Sequence, residues 1–184
     1  MATRTLITGM SGTGKSSVVV ELKAQGYFAV DADAPGWSSL KEFRPERTNL
    51  DWNWDETSQL DWVWDEGKVR DFLDHPPADY IFLSGTSPTQ GMFREQFEHV
   101  ILLSAPTPVI VQRLRIRTSN DYGKLPGELQ DVLTNIEQIE PLLRATATLE
   151  IDTTQPLSRV VAEILEHVGL GEIPDASRIR SNLC

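Results

Sequence analysis

One cysteine, Cys184, stands at the end of the sequence. It has no partner within the chain, so an internal disulfide framework is excluded and a thiolate-bound metal cluster is implausible. Histidine is scarce too: His75, His99 and His167 are far apart and lack metal-ligand spacing, as surface or half-buried histidines would be. No apolar stretch approaches the roughly 20 residues a membrane span needs. Met1-Ala2-Thr3-Arg4 runs straight into the strand-like Thr5-Leu6-Ile7-Thr8, leaving no room for a signal peptide. These absences predict a protein of a reducing cytoplasm with no membrane partner. Positive charge is short as well. The formal net charge of −10 counts against a nucleic-acid partner, because phosphate backbones favour clustered Lys and Arg. The deficit is local: Asp51 to Asp79 holds nine acidic and two basic residues, a net of −7. The rest of the chain is nearly balanced, which leaves a nucleotide site electrostatically feasible.

What is present is ordinary for a globular protein: 184 residues, 40% hydrophobic and 24% charged. That length suits one domain, 1–184, with a sizeable core. There is no internal repeat and no low-complexity linker. The sequence opens as strand (Thr3–Thr8), glycine-rich loop (Gly9–Gly14), helix (Lys15–Gln25), Gly26 as a stop, and strand (Tyr27–Val30). Such a βαβ unit implies a parallel sheet. Tyr80–Ser84, His99–Ser104 and Thr148–Ile151 read as three further strands, with helical patterns at Glu66–Asp74, Pro108–Thr118, Pro126–Arg144 and Pro156–Val168. The alternation predicts an α/β three-layer sandwich with a parallel sheet of about five strands. Residues 35–77 are less regular and hold all five tryptophans, Trp37, Trp52, Trp54, Trp62 and Trp64. They read as an insertion over the carboxyl ends of the strands, where open-sheet proteins place ligands.

Gly9-Met10-Ser11-Gly12-Thr13-Gly14-Lys15-Ser16 satisfies G-x-x-x-x-G-K-[ST] at every fixed position. Its glycines let successive N–H groups curl toward anionic oxygens, and the helix that follows adds its positive end. Lys15 is placed to reach the outer phosphates and the Ser16 hydroxyl to ligate Mg²⁺, with Ser11, Thr13 and Ser17 beside them. Asp31-Ala32-Asp33 follows the second strand. If that strand continues, period-two spacing turns both carboxylates to one side. One then holds a magnesium-bound water and the other takes a proton from an acceptor hydroxyl; the alternative is a polar turn leading to Pro35-Gly36. No Walker-B-type aspartate ends Tyr80–Ser84, where Gly85-Thr86-Ser87 stands instead, so Asp31 is the best acidic partner for magnesium. Arg113 and Arg117 are four residues apart and face the same way, suited to a base or a transferring phosphoryl group, or to an exposed charged face.

These residues resemble the small P-loop kinases of the shikimate, gluconate and adenylate kinase group, over about Thr3 to Val168. Gly9–Ser16 is similar to their phosphate loop and Asp31-Ala32-Asp33 to the D-x-D of shikimate kinases. The resemblance implies that Asp31 supports magnesium while Asp33 contacts the acceptor hydroxyl. It also implies that Gly85 and Thr86 line the acceptor site. By the same resemblance Arg113 lies on adenine, Arg117 on phosphate, and Asp152 and Thr153 border the adenine. The segment 117–127 would be a short lid. Lys41, Arg44 and Arg47 are candidates for an acceptor anion, although no motif fixes them.

The leading expectation is transfer of the ATP γ-phosphoryl group to a hydroxyl of a small metabolite, with Lys15, Asp33 and Arg117 catalytic. ATP rather than GTP follows from the resemblance, since no N-K-x-D guanine motif occurs. A nucleoside monophosphate kinase is one alternative, and the acidic 51–79 stretch would instead suit a cationic acceptor. The other alternative is a nucleotide-dependent binding protein or slow ATPase whose tryptophans form a partner surface. The plainer reading of those tryptophans is packing over the sheet.

Overall fold

The computed structural model describes residues 2–42, 60–118 and 120–171. In chain order it forms β1 (Thr3–Thr8), α1 (Lys15–Ala24), β2 (Phe28–Asp31), β3 (Ser38–Glu42), β4 (Leu60–Trp64), α2 (Glu66–Asp74) and β5 (Tyr80–Ser84). A 3₁₀ segment (Gln90–Gln96) follows, then β6 (His99–Ser104), α3 (Thr107–Ile116), α4 (Pro126–Gln138), α5 (Glu140–Thr146), β7 (Leu149–Asp152) and α6 (Leu157–His167).

The main sheet is parallel, in the order β2-β5-β1-β6-β7. Its strands are apolar on both faces because both faces are covered. Ile7, Phe82, Ile101 and Leu103 point toward α1 and α6, where they meet Val18, Leu22, Val161 and Ile164. Their neighbours along the strands, Leu6, Ile81, Leu83 and Val100, point the other way onto Val69, Phe72 and Leu73 of α2. This alternation is the period-two pleat, and it makes the three-layer sandwich the sequence predicts. Full burial of each such side chain stabilises by about 1.5–3 kcal/mol. β1 lies centrally between β5 and β6; from it the chain runs to β2 on the β5 side, and from β5 it crosses to β6 on the other side. The crevice at that switch point, beyond the carboxyl ends of the strands, holds the candidate site.

Several boundaries differ from expectation. β2 and β7 each sit one residue later than the sequence pattern indicates. The single helix expected over 126–144 is two, broken at Ile139, because Pro141 has no N–H to donate back and its ring crowds the preceding turn. The 3₁₀ segment has no counterpart in the sequence reading.

The insertion is more ordered than its composition suggests. β3 and β4 pair antiparallel, with Ser38 opposite Trp64, Leu40 opposite Trp62 and Lys41 opposite Asp61. α2 then starts under a side-chain cap, Asp65 accepting from the Lys68 N–H at 3.1 Å. Trp64 is fully buried, whereas Trp37 packs edge-on against Phe72 at 5.7 Å and Trp62 is 57% exposed. Arg44, Arg47, Trp52 and Trp54 lie outside the described residues. No described helix is long and apolar enough to cross a membrane.

Candidate active site

The phosphate loop begins where β1 ends. Gly9 passes so close to β6 that a Cβ on it would lie 2.3 Å from the Leu103 carbonyl oxygen, and its φ is +146°. Only glycine permits that approach. The Thr13 hydroxyl closes the loop by donating to the Met10 carbonyl at 2.8 Å. α1 starts at Lys15, so its unpaired N–H groups face the same space as the loop. Ser11 to Val18 form one wall of a cavity of about 470 Å³. Across it stand Asp33, Arg113, Arg117 and Thr153, with Ile116 and Leu157 supplying apolar surface.

Asp31 and Asp33 both reach this loop, but not by the pleat. β2 ends at Asp31, and a turn closed by the Ala34 N–H on the Asp31 carbonyl at 3.2 Å carries the chain round. Asp31 accepts the Ser16 hydroxyl at 2.7 Å through one carboxylate oxygen and the Asp33 N–H at 3.1 Å through the other. The polar turn and the converging carboxylates, set against each other in the sequence, are both present.

Asp33 is held from three sides. Its Oδ1 accepts the Thr86 N–H at 2.9 Å and the Trp64 indole N–H at 3.4 Å. Its Oδ2 lies 3.5 Å from Lys15 Nζ, which also donates to the Gly9 carbonyl at 2.7 Å. Gly85 is the floor beneath: a Cβ there would meet Asp33 Oδ1 at 2.6 Å and the Trp64 ring at 3.1 Å. The Thr86 hydroxyl is engaged with the loop, donating to the Gly9 carbonyl at 2.8 Å and accepting from the Gly9 N–H at 3.3 Å. What Thr86 offers to the Asp33 side is its backbone N–H.

Arg113 ties the phosphate loop to the loop after β7. It donates to the Thr153 hydroxyl at 2.8 Å, to the Thr153 carbonyl at 2.5 Å and to the Gly12 carbonyl at 3.5 Å. Asp152 is exposed, and the Thr154 N–H and hydroxyl hold its carboxyl below the usual range. Arg117 stands just beyond α3 in extended backbone, not on the helix face it was expected to share with Arg113. It still lines the cavity. One guanidinium nitrogen donates to the Tyr122 carbonyl and to Asn120 at 3.5 Å, while its buried Nε meets no partner among the described residues. Burial pulls its basicity down, although arginine stays charged at any physiological pH.

Magnesium fits the donors present. Ser16 Oγ and Asp31 Oδ2 are hard oxygens brought together at the mouth of the phosphate loop. Mg²⁺ in phosphate-transfer sites uses one or two protein oxygens, with water and phosphate completing the octahedron. The described residues contain no cluster of three or more His, Cys, Asp or Glu that would build an all-protein cage.

The sequence reading missed Trp64, Asn120, Ile116 and Leu157 as site residues. Ile116 is 70% exposed and Leu157 38%, apolar positions that the core does not use, but that exposure is visible only in the fold. For Trp64 there was no signal either, because its role depends on a hairpin closing across the strand ends.

A family model described as AAA domain matches residues 6–141. No curated protein matches the chain in sequence. Among solved structures, the fold is similar to shikimate kinase from Acinetobacter baumannii in complex with shikimate. That match has 16% identity and a TM-score of 0.58, over 94% of this chain and 96% of that one. A sugar kinase from a Janibacter species is 18% identical with TM-score 0.55, over 92% and 96%. Shikimate kinase from Bacteroides thetaiotaomicron is 15% identical with TM-score 0.55, over 91% and 99%. The architecture is therefore that of the small P-loop kinases.

Proposed function

We propose, from the premise that this chain belongs to the AAA domain family, that it is a phosphotransferase moving the γ-phosphoryl group of ATP to a hydroxyl of a small metabolite. The observation that carries the reading is Asp33 Oδ2 standing 3.5 Å from Lys15 Nζ. A carboxylate facing the phosphate-reaching lysine is where a proton acceptor is needed when a hydroxyl attacks the γ-phosphorus. In the step, the acceptor oxygen forms a bond to the γ-phosphorus while its proton passes to Asp33 Oδ2. The bond from the γ-phosphorus to the bridging oxygen breaks, and ADP leaves. Lys15 and Arg117, both lining the cavity, neutralise charge on the transferring group. Arg113, Thr153, Ile116 and Leu157 surround the position of the base. Ser16 and Asp31 would hold magnesium, which when bound would supply charge neutralisation for the transfer. The fold shared with shikimate and sugar kinases supports a hydroxyl-bearing acceptor.

A second reading, a nucleotide-dependent binding protein, has one observation in its favour. Trp62 and Leu40 form a cross-strand pair that is 57% and 55% exposed, an apolar spot suited to a protein partner. ADP release from Mg·ATP across pooled nucleosides, nucleotides, sugars, amino sugars and hydroxy acids separates the two, with Lys15→Ala as blank. A kinase gives one responding pool well above the blank. A flat response with ATP still bound would favour the binding protein.

A further inference from the structure

Trp64 is the largest fully buried side chain among the described residues, and its indole N–H is a polar group that burial penalises unless an acceptor meets it. The acceptor it meets is Asp33 Oδ1 at 3.4 Å. The residue is pinned for that contact. Its backbone N–H donates to the Ser87 hydroxyl at 3.3 Å, and Ser38 stands opposite it in the β3–β4 ladder. The neighbouring Asp65 N–H donates to the Trp37 carbonyl at 2.7 Å. The ring lies over Gly85, leaving no room for a Cβ between indole and carboxylate. Two donors therefore act on one oxygen. The Thr86 N–H at 2.9 Å and the indole N–H fix the carboxylate plane through Oδ1 and leave Oδ2 turned toward Lys15. A carboxylate with one donor can rotate about that bond, and a second donor in a different direction removes that freedom. Positioning of this kind is worth rate out of proportion to the strength of the bond.

We infer that Trp64 is a positioning residue: its indole N–H orients Asp33 so that Oδ2 faces the acceptor hydroxyl, and the β3–β4 hairpin exists in part to deliver it. This rests on the proposed role of Asp33. At 3.4 Å the bond is at the long end of the hydrogen-bond range, so it directs the carboxylate more than it holds it, and the expected effect is moderate.

The test uses the full chain and a variant that keeps a ring. Trp64→Phe keeps an aromatic ring in the buried site and removes the indole donor together with the outer part of the bicycle. With the acceptor pool that raises ADP release, it lowers kcat about tenfold while the KM for Mg·ATP stays at the wild-type value. A second readout needs no acceptor. In ¹⁵N-labelled protein the indole signal lost in Trp64→Phe is that of Trp64, and Asp33→Asn, which removes the charge from its acceptor, shifts that signal more than the other four. Wild-type kcat in Trp64→Phe, or an indole signal that Asp33→Asn moves no further than the others, overturns the role of Trp64. Wild-type turnover by Asp33→Asn overturns instead the reading of Asp33 on which it rests. If no pool responds, the indole shift alone decides whether Trp64 bonds the carboxylate.

Discussion

Asp33 and Gly85 are the two residues on which the proposed acceptor side turns. Asp33→Asn keeps the size of the side chain and loses the proton acceptor. It should lower kcat by roughly 10²–10⁴-fold, the range of general-base contributions. Affinity for Mg·ATP should stay nearly unchanged, because the phosphate loop is untouched. Steady-state kinetics with a direct nucleotide-binding measurement checks both, and equal loss of the two would remove Asp33 from the role. Gly85→Ala tests the same carboxylate from below. Its Cβ would sit 2.6 Å from Asp33 Oδ1 at a φ of +154° that L side chains rarely adopt. Turnover should fall by at least about tenfold, with a stability loss of about 1–3 kcal/mol in urea unfolding.

At the scale of elements, short pieces of secondary structure bring distant residues together. β3 and β4 carry Trp64 onto Asp33, and α3 stops at Ile116, which releases Arg117 into the cavity. On the far side of the sheet α5 is tied to β7 through Arg144, which donates to Glu150 at 2.8 Å and to Glu140 at 2.7 Å. The arginine side chain is 44% exposed, so solvent screens the pair and Arg144→Met should cost about 1 kcal/mol at pH 7. Arg144 holds the Glu150 carboxyl below its usual range. A carboxyl lowered in the folded state contributes stability that is full above its unfolded pKa and is lost as pH falls through the folded value. The gap between wild type and Arg144→Met in urea midpoint should therefore narrow as pH falls below about 4.3, the ordinary glutamate pKa. A gap that widened there would contradict the assignment.

For the whole molecule, the loop, the carboxylates and the two arginines belong to different segments that meet only in the folded state. A ligand bridging them stabilises the native chain by mass action. Mg·ATP at 100 times its dissociation constant should add about 2.7 kcal/mol, a rise in Tm of roughly 5–10 °C for a chain of this size. Lys15→Ala should lose most of that rise, and chelating the magnesium should reduce it in the wild type. Thermal unfolding followed by circular dichroism reads all three, and an equal rise in Lys15→Ala would place the nucleotide elsewhere.

Much of this was legible in the sequence because its physics is local. Strand alternation, the helix after Gly14 and the phosphate loop each follow from neighbours within a few residues, and so the parallel sheet and Gly9–Ser16 were read directly. Asp31 and Asp33 were legible as residues but not in geometry, since a turn and not the pleat brings them together. The split at Ile139 was missed although Pro141 marks it. The β3–β4 hairpin was missed because Ser38-Ser39-Leu40-Lys41-Glu42 carries little apolar alternation, and its pairing partner is some twenty residues away. The sequence by itself determined the fold class and the phosphate end of the site, where backbone chemistry and nearest neighbours decide. Only the tertiary structure decided the arrangement around Asp33. There a buried indole, a floor glycine and a turn-borne carboxylate are held together by contacts spanning 31 to 53 residues, whose closure no local pattern encodes.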